Sequence, residues 1–331
     1  MKLKTIERVI HQKIREWALT LPKELQQPAL DNVIVTGGCI ASMFLQEKVN
    51  DFDLYFKDVE VLRKVCEHYL QRANEVNKDA ALVLLDASEK EEVDKALSLK
   101  NIKQEDVHRL NAKIIALANL EIDQIKFFSE KYHGAGAAIN EQSHNGNETY
   151  LIEFISPNAI SLSDDIQIVN RFHGDPDEIH KNFDFAHATN YWTRNSGIVT
   201  NNLALECLLT KELKYIGSKY PLTSVIRIKK FVKRNYTINA GEMLKIMFQI
   251  SELDLKDPFV LEEQLIGVDV AYFSTLIRII QNSDDKVITS HFLNGLIDKV
   301  FSYRVNDGFE LHKEDTYTEN EDSISTEDLP F

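Results

Sequence analysis

Alternating strands and helices in the first half of the chain, followed by an almost wholly helical second half, predict an α/β (α+β) protein built on a small mixed sheet. Three observations carry this. The β-branched run Asn32-Val33-Ile34-Val35-Thr36 leads straight into Gly37-Gly38-Cys39, after which Ile40, Met43 and Phe44 mark the buried side of a helix. A second strand reads from Phe52 to Phe56. From about residue 201 to 303 the apolar spacing is helical.

Taken in order, residues 3–19 read as an amphipathic helix, and Leu21-Pro22 with the polar residues after it ends this helix or starts a second, shorter one. The first strand, the glycine turn and its helix follow, then the second strand and a helix from about Val59 to Asn77. Residues 78–130, rich in Ala, Leu, Glu and Lys and free of glycine, read as the helical part of an insertion spanning about 78–149. Its end, from His133-Gly134-Ala135-Gly136 to Thr149, has the composition of a mobile loop. Strands are expected at Tyr150–Ile155, Ala159–Leu162 and Ile166–Asn170, a short helix at Asp177–Asn182, and a further strand at Phe183–Trp192. The expected organisation is a catalytic domain over 1–195, a helical domain with a basic segment over 196–310 and a disordered acidic tail over 311–331.

Composition narrows the function. A chain of 331 residues with 44% hydrophobic residues buries a large core unaided. Cys39, Cys66 and Cys207 have neither paired spacing nor neighbours at zinc-ligand intervals, and no apolar run reaches the roughly 18 residues of a membrane span. A cytoplasmic protein with no membrane partner is expected. The net charge of -14 opposes bulk electrostatic coating of nucleic acid, so any such site is local. The charge is uneven: Lys211 to Arg234 holds eight basic residues and one acid, whereas His312 to Phe331 holds seven acids and one lysine.

In a strand, residues i and i+2 share a face, so Asp51 and Asp53 project side by side while Phe52 and Leu54 enter the core. Two carboxylates aimed at one point repel unless a cation lies between them, and Mg²⁺, which takes one or two carboxylates plus phosphate oxygens, suits the place. Gly37 and Gly38 let the backbone approach a ligand, and the helix N-terminus behind them offers free N–H groups to a phosphate. Ser42, one turn on, adds a hydroxyl.

The order strand, Gly37-Gly38-Cys39 turn, helix, Asp51-Phe52-Asp53 strand, with Asp51 thirteen residues after Gly38, resembles the signature of the DNA polymerase beta nucleotidyltransferase superfamily. The resemblance implies a small mixed sheet of the nucleotidyltransferase type and a site for two Mg²⁺ ions, or Mn²⁺. It also implies a third carboxylate on a later strand, for which Asp184 in Phe183-Asp184-Phe185 is the best match and Asp164 and Asp165 are the rivals. Cys39 stands where the superfamily more often has serine, which removes a hydroxyl contact from that position.

The expected reaction is attack by a hydroxyl on the α-phosphate of an NTP with release of pyrophosphate. Lys211, Lys214, Ser218 and Tyr220 are placed near the nucleotide. Arg227, Lys230 and Arg234 are placed against the acceptor. An RNA or tRNA 3′ end is the first choice of acceptor. A protein hydroxyl is the second, and a non-catalytic replication or repair adaptor the alternative class. The terminus, Glu327-Asp328-Leu329-Pro330-Phe331, resembles the acidic tip of bacterial single-stranded DNA-binding proteins. That likeness implies that Leu329, Pro330 and Phe331 dock on a replication or repair protein.

Overall fold

The computed structural model describes residues 2–77, 82–85, 125–128, 137–139, 141–142, 149–255, 260 and 264, and the structural statements that follow concern these. The chain divides into a compact unit Met1–Glu252 and a second unit Leu253–Phe331. The tail expectation for Leu329, Pro330 and Phe331, and the helical reading of most of the insertion, lie outside the described residues.

The first unit is built on an eight-stranded sheet. Its strands are β1 (Val33–Thr36), β2 (Phe52–Phe56), β5 (Ala137–Ala138), β6 (Ile152–Ser156), β7 (Ala159–Leu162), β8 (Ile166–His173), β9 (Tyr191–Thr193) and β10 (Gly197–Val199). They lie in the order β10-β9-β1-β2-β8-β7-β6-β5. β2 and β8 run parallel, and every other neighbouring pair is antiparallel. The mixed sheet expected from the sequence is present, and β2 and β7 have the expected bounds.

Alternation along β1 and β2 sorts their side chains to two faces. Val33, Val35, Phe52, Leu54 and Phe56 belong to one cluster with the helices α1 (Leu3–Ala18), α2 (Lys23–Asn32) and α4 (Val59–Val76). On α1, Ile6, Ile10, Ile14 and Trp17 recur at helical spacing and are fully buried. Each such side chain contributes about 1.5–3 kcal/mol. The Trp17 indole donates to the Tyr69 hydroxyl of α4 at 2.9 Å, which keeps the buried ring polar group satisfied. Ile34 and Tyr55, of opposite parity, pack on the other face with Val169, Phe172, Ile179 and Tyr220. Asp51 and Asp53 share the parity of Tyr55.

The short helix α5 (Pro176–His180) follows β8, and α6 (Asn202–Thr210), α7 (Pro221–Lys233) and α8 (Ala240–Ser251) complete the described helices of the first unit together with α3 (Gly38–Leu45). Among the described residues no helix is long and apolar enough to cross a membrane.

Three expectations are corrected. The insertion is not helical at its described edges, where β3 (Val83–Leu85) pairs antiparallel with β4 (Lys126–Phe128). Residues 183–192 are not one strand: Asp184 accepts the Phe185 N–H through its own carboxylate (3.0 Å), and a 3-10 turn over Ala186–Ala188 precedes β9. Local side-chain bonds of this kind compete with a strand ladder. Within the stretch read as helical from about 201, Lys211 and Lys214 are not on a helix, because α6 ends at Thr210 and Lys211 takes the left-handed conformation (φ 55°).

Candidate functional site

β1 and β2 pair so that Thr36 lies opposite Asp53, and Asp53 has Gln167 of β8 on its other side. The chain leaves β1 at Gly37, whose φ of +95° belongs to the region that favours glycine. A Cβ at Gly37 would also stand 3.1 Å from Asp53 Oδ2. Glycine therefore serves twice here, permitting the turn and admitting the carboxylate. Gly38 starts α3, and a Cβ there meets nothing within 4 Å. No side chain caps α3, so open space lies over the positive end of a helix beside a carboxylate.

The turn is held from behind. The Gly37 N–H donates to the Ala188 carbonyl at 3.1 Å. The Thr36 hydroxyl donates to the Asn190 carbonyl (3.0 Å), and with its proton so used it accepts from His180 Nε2 (2.8 Å). In this arrangement His180 carries a proton on Nε2. Burial favours the neutral ring, pushing the His180 pKa down to about 4. His180 thereby joins α5 to the strand end that carries the turn. Only its distance from other histidines was legible in the sequence, and that gave no sign of this role.

Asp53 is half-buried and Asp51, just before β2, is exposed. Both act on the same neighbours: burial pushes the Cys39 thiol and the Tyr55 phenol well up, and Asp53 and Asp51 add to each shift. A negative field is thus concentrated beside the glycine turn, where a divalent cation is favoured.

The third carboxylate does not join them. Among the described residues no group of three or more His, Cys, Asp or Glu side chains converges to hold a metal ion. Asp184 is buried, and its Oδ2 takes an ion pair from Arg227 at 3.1 Å while its Oδ1 accepts the Phe185 N–H. The rivals Asp164 and Asp165 form a left-handed turn at the entrance to β8, where the Asp165 carbonyl accepts the Phe52 N–H at 2.7 Å. That hydrogen bond brings the Asp165 backbone, not that of Asp184, beside Asp51. The strand position next to Asp53 is an amide, Gln167.

Of the other candidates, Ser42, Lys211 and Arg234 gather around Glu47, which the sequence did not single out. Lys211 donates to Glu47 at 2.8 Å, and Arg234 grips the same carboxylate while reaching Ser42 Oγ at 3.0 Å. Burial alone would raise the Glu47 pKa, but Lys211 and Arg234 hold it below its ordinary value. Lys211 also sits 4.6 Å from the centre of the Tyr236 ring. Lys214 pairs instead with Glu212 (3.0 Å). Ser218 is buried and accepts the Tyr220 N–H at 2.9 Å, and Tyr220 packs in the second-face cluster under the Arg171 guanidinium, 4.8 Å away. Arg227 and Lys230 are half-buried on α7.

The sequence from residue 8 to 211 matches the family described as Gad2, Gabija anti-defense 2 family protein. The chain belongs to that family. The matched span takes in Gly37, Asp51, Asp53 and Asp184 and stops before Arg227 and Arg234. Among curated proteins, none matches. Three solved structures are similar at low level. One is the Bacillus stearothermophilus CCA-adding enzyme in complex with CTP, at 8% identity over 72% of this chain and 45% of that one, with a TM-score of 0.30. Another is a tRNA-processing enzyme with CTP, at 9% identity over 78% and 57%, with a TM-score of 0.32. The third is a tRNA-processing enzyme in its apo form, at 8% identity over 86% and 67%, again with a TM-score of 0.32. This Gabija anti-defense 2 family member thus spans about half the length of the first two, and its chemistry rests on its own residues.

Two expected outcomes follow from the geometry. Gly37→Ala destabilises the fold by about 1–3 kcal/mol, through the strained backbone and the contact with Asp53, whereas Gly38→Ala leaves stability within about 0.5 kcal/mol. Urea denaturation of both variants checks this. Glu47→Gln costs about 1–2 kcal/mol at neutral pH. Because the folded Glu47 pKa is depressed, its contribution is complete above the ordinary value of 4.5 and fades as pH falls through the folded value. The stability gap between native protein and Glu47→Gln, measured by denaturation from pH 7 to pH 3, therefore narrows on acidification.

Proposed function

We propose that the protein is a divalent-metal-dependent nucleotidyltransferase that moves NMP from an NTP to an acceptor hydroxyl. The observation that carries this reading is the Asp53 carboxylate packed against the Gly37 backbone, with Asp51 adding to the same field and the uncapped start of α3 beside it. Asp51 and Asp53 are the residues that would hold Mg²⁺ or Mn²⁺. Two carboxylates leave coordination positions for phosphate oxygens, which is how Mg²⁺ usually sits in phosphoryl-transfer sites. The bound metal supplies charge neutralisation on the phosphates and a lowered pKa for the attacking hydroxyl.

The chain's own residues do the rest. The Gly37-Gly38 backbone and the first N–H groups of α3 receive the triphosphate, and the open space at Gly38 admits it closely. The acceptor hydroxyl gives its proton to solvent, its oxygen bonds to the α-phosphorus as the bond to the bridging oxygen breaks, and pyrophosphate leaves. Lys211 and Arg234 meet α3 beyond its other end, where both pair with Glu47, and Arg234 also reaches Ser42, one turn in from Gly38, so they serve the nucleotide only by leaving Glu47. Asp184 enters as the anchor of Arg227 on α7. Its expected place as third ligand requires the Arg227 ion pair to open.

For the acceptor, an RNA or tRNA 3′ end accords with the cationic stretch of α7. The family description favours the second reading, a hydroxyl on a protein, since an anti-defence protein is expected to act on a defence component. The two are separated by incubating the protein with Mg²⁺ and each α-labelled NTP, with total RNA in one arm and defence-system lysate in the other. Label should enter one of these, and Asp53→Asn and Asp51→Asn should each lower the rate by at least 10²-fold at unchanged fold. Turnover by either variant near the native rate would remove the site assignment.

A further inference from the structure

Away from the carboxylate pair, one cavity gathers positive charge on an acidic protein. It is a half-open groove of 420 Å³, lined among others by His11, Arg15, Lys23, Gln27, Leu30 and Arg194. The lining follows helical spacing on both walls. His11, Arg15 and Leu19 come from one stripe of α1 and its end, and Lys23, Gln27 and Leu30 from one stripe of α2. Arg194 closes it from the turn after β9. Among the described residues no acidic side chain lines it.

The cations differ in what holds them. Arg194 Nη1 is tethered by Asp31 at 3.1 Å, and Gln27 donates to the same carboxylate at 2.9 and 2.8 Å. The guanidinium is therefore oriented before any ligand arrives, with its remaining N–H groups available. Arg15 and Lys23 make no ion pair within the described residues, in contrast to Lys211, Arg227 and Arg234. Lys23 is also the first residue of α2, and Ala18 and Leu19 lie at the end of α1, so the lining spans the junction of the two helices. Ala18 and Leu30 give the floor an apolar part, and the His11 ring stands edge-on to Trp192 (6.3 Å).

We propose that this groove binds a small molecule carrying two or more phosphates, of nucleotide size. Three cations facing one volume, of which only Arg194 is paired with a carboxylate within the described residues, suit an oligophosphate, for which Arg offers planar paired donors and Lys a point charge. The volume lies in the range of small-molecule sites, roughly 300–1,000 Å³. The groove is distinct from the glycine turn. α1 and α2 cover the opposite face of the sheet from Asp53, and Thr193, next to Arg194, pairs with Ile34 while the turn follows Thr36. Occupancy of the groove thus needs neither Asp51 nor Asp53, and the inference stands whether or not the transferase reading does.

The test is isothermal titration calorimetry of the full chain with inorganic triphosphate in EDTA, so that no divalent cation bridges triphosphate to the carboxylates. The native protein and an Asp51→Asn/Asp53→Asn double variant should each show one saturable site that weakens as salt rises. Arg15→Gln/Lys23→Gln, which breaks no ion pair, should bind at least tenfold more weakly while its thermal melt stays within a few degrees of native. Absence of saturable binding to the native chain would overturn the proposal, as would equal affinity in Arg15→Gln/Lys23→Gln. Binding of a single-stranded RNA oligomer that depends on Arg15 and Lys23, with no binding of triphosphate, would also overturn it and assign the groove to a nucleic-acid backbone.

Discussion

The approach of the Asp53 carboxylate to the backbone of Gly37 ties together nearly everything that positions the site. It exists because β1 and β2 are paired with Thr36 opposite Asp53, and because the chain turns at once through a positive φ that glycine accommodates. The register is fixed by burial: a slip of one residue would send Phe52, Leu54 and Phe56 out of the core and Asp53 into it. The same hydrophobic stripe that docks α1 and α4 on one face therefore aims the carboxylates at the other. The Thr36 and Gly37 bonds to residues 180–190 lock the turn from the side away from β2.

Around this turn the protein manages its charge in pairs. Glu47 follows α3 and binds Lys211 and Arg234, and Asp184 binds Arg227, so the cations of the basic stretch are drawn onto carboxylates of the same unit. A half-buried cation left unpaired would cost more than its solvent-exposed counterpart, and the acidic surroundings supply partners readily. The consequence for chemistry is that phosphate binding at these residues is an exchange of one anion for another. By contrast, Arg15 and Lys23, in the groove between α1 and α2, stand without such partners among the described residues.

Much of the first half of the fold was legible in the sequence because its signals are local and strong. The β-branched run before Gly37-Gly38, the alternation from Asp51 to Phe56 and the isoleucine spacing of α1 each dictate one element, and α3, α4 and β7 follow from the same patterning. Asp51 and Asp53 could be placed on a common face for that reason. The position of Asp184 was not legible: Phe183-Asp184-Phe185 looks like a strand segment, but the carboxylate bonds its own next N–H and an arginine 43 residues on. Nor was the end of α6 at Thr210, since Lys211 carries no helix-breaking chemistry and is pinned by its contact with Glu47, 164 residues away. The strands β3 and β4, flanking a composition rich in helix formers, were hidden because pairing across the insertion outweighs propensity.

The proposed activity requires Asp51 and Asp53 to hold a divalent cation over the Gly37-Gly38 turn. A crystal structure of the protein grown with Mn²⁺ and a non-hydrolysable NTP analogue tests it most directly, because the anomalous signal locates the metal. The expected result is Mn²⁺ bonded to carboxylate oxygens of Asp51 and Asp53, with the triphosphate resting on the backbone of Gly38 and the first turn of α3. Mn²⁺ and nucleotide bound elsewhere, with the Asp53 carboxylate bare against Gly37, would contradict it.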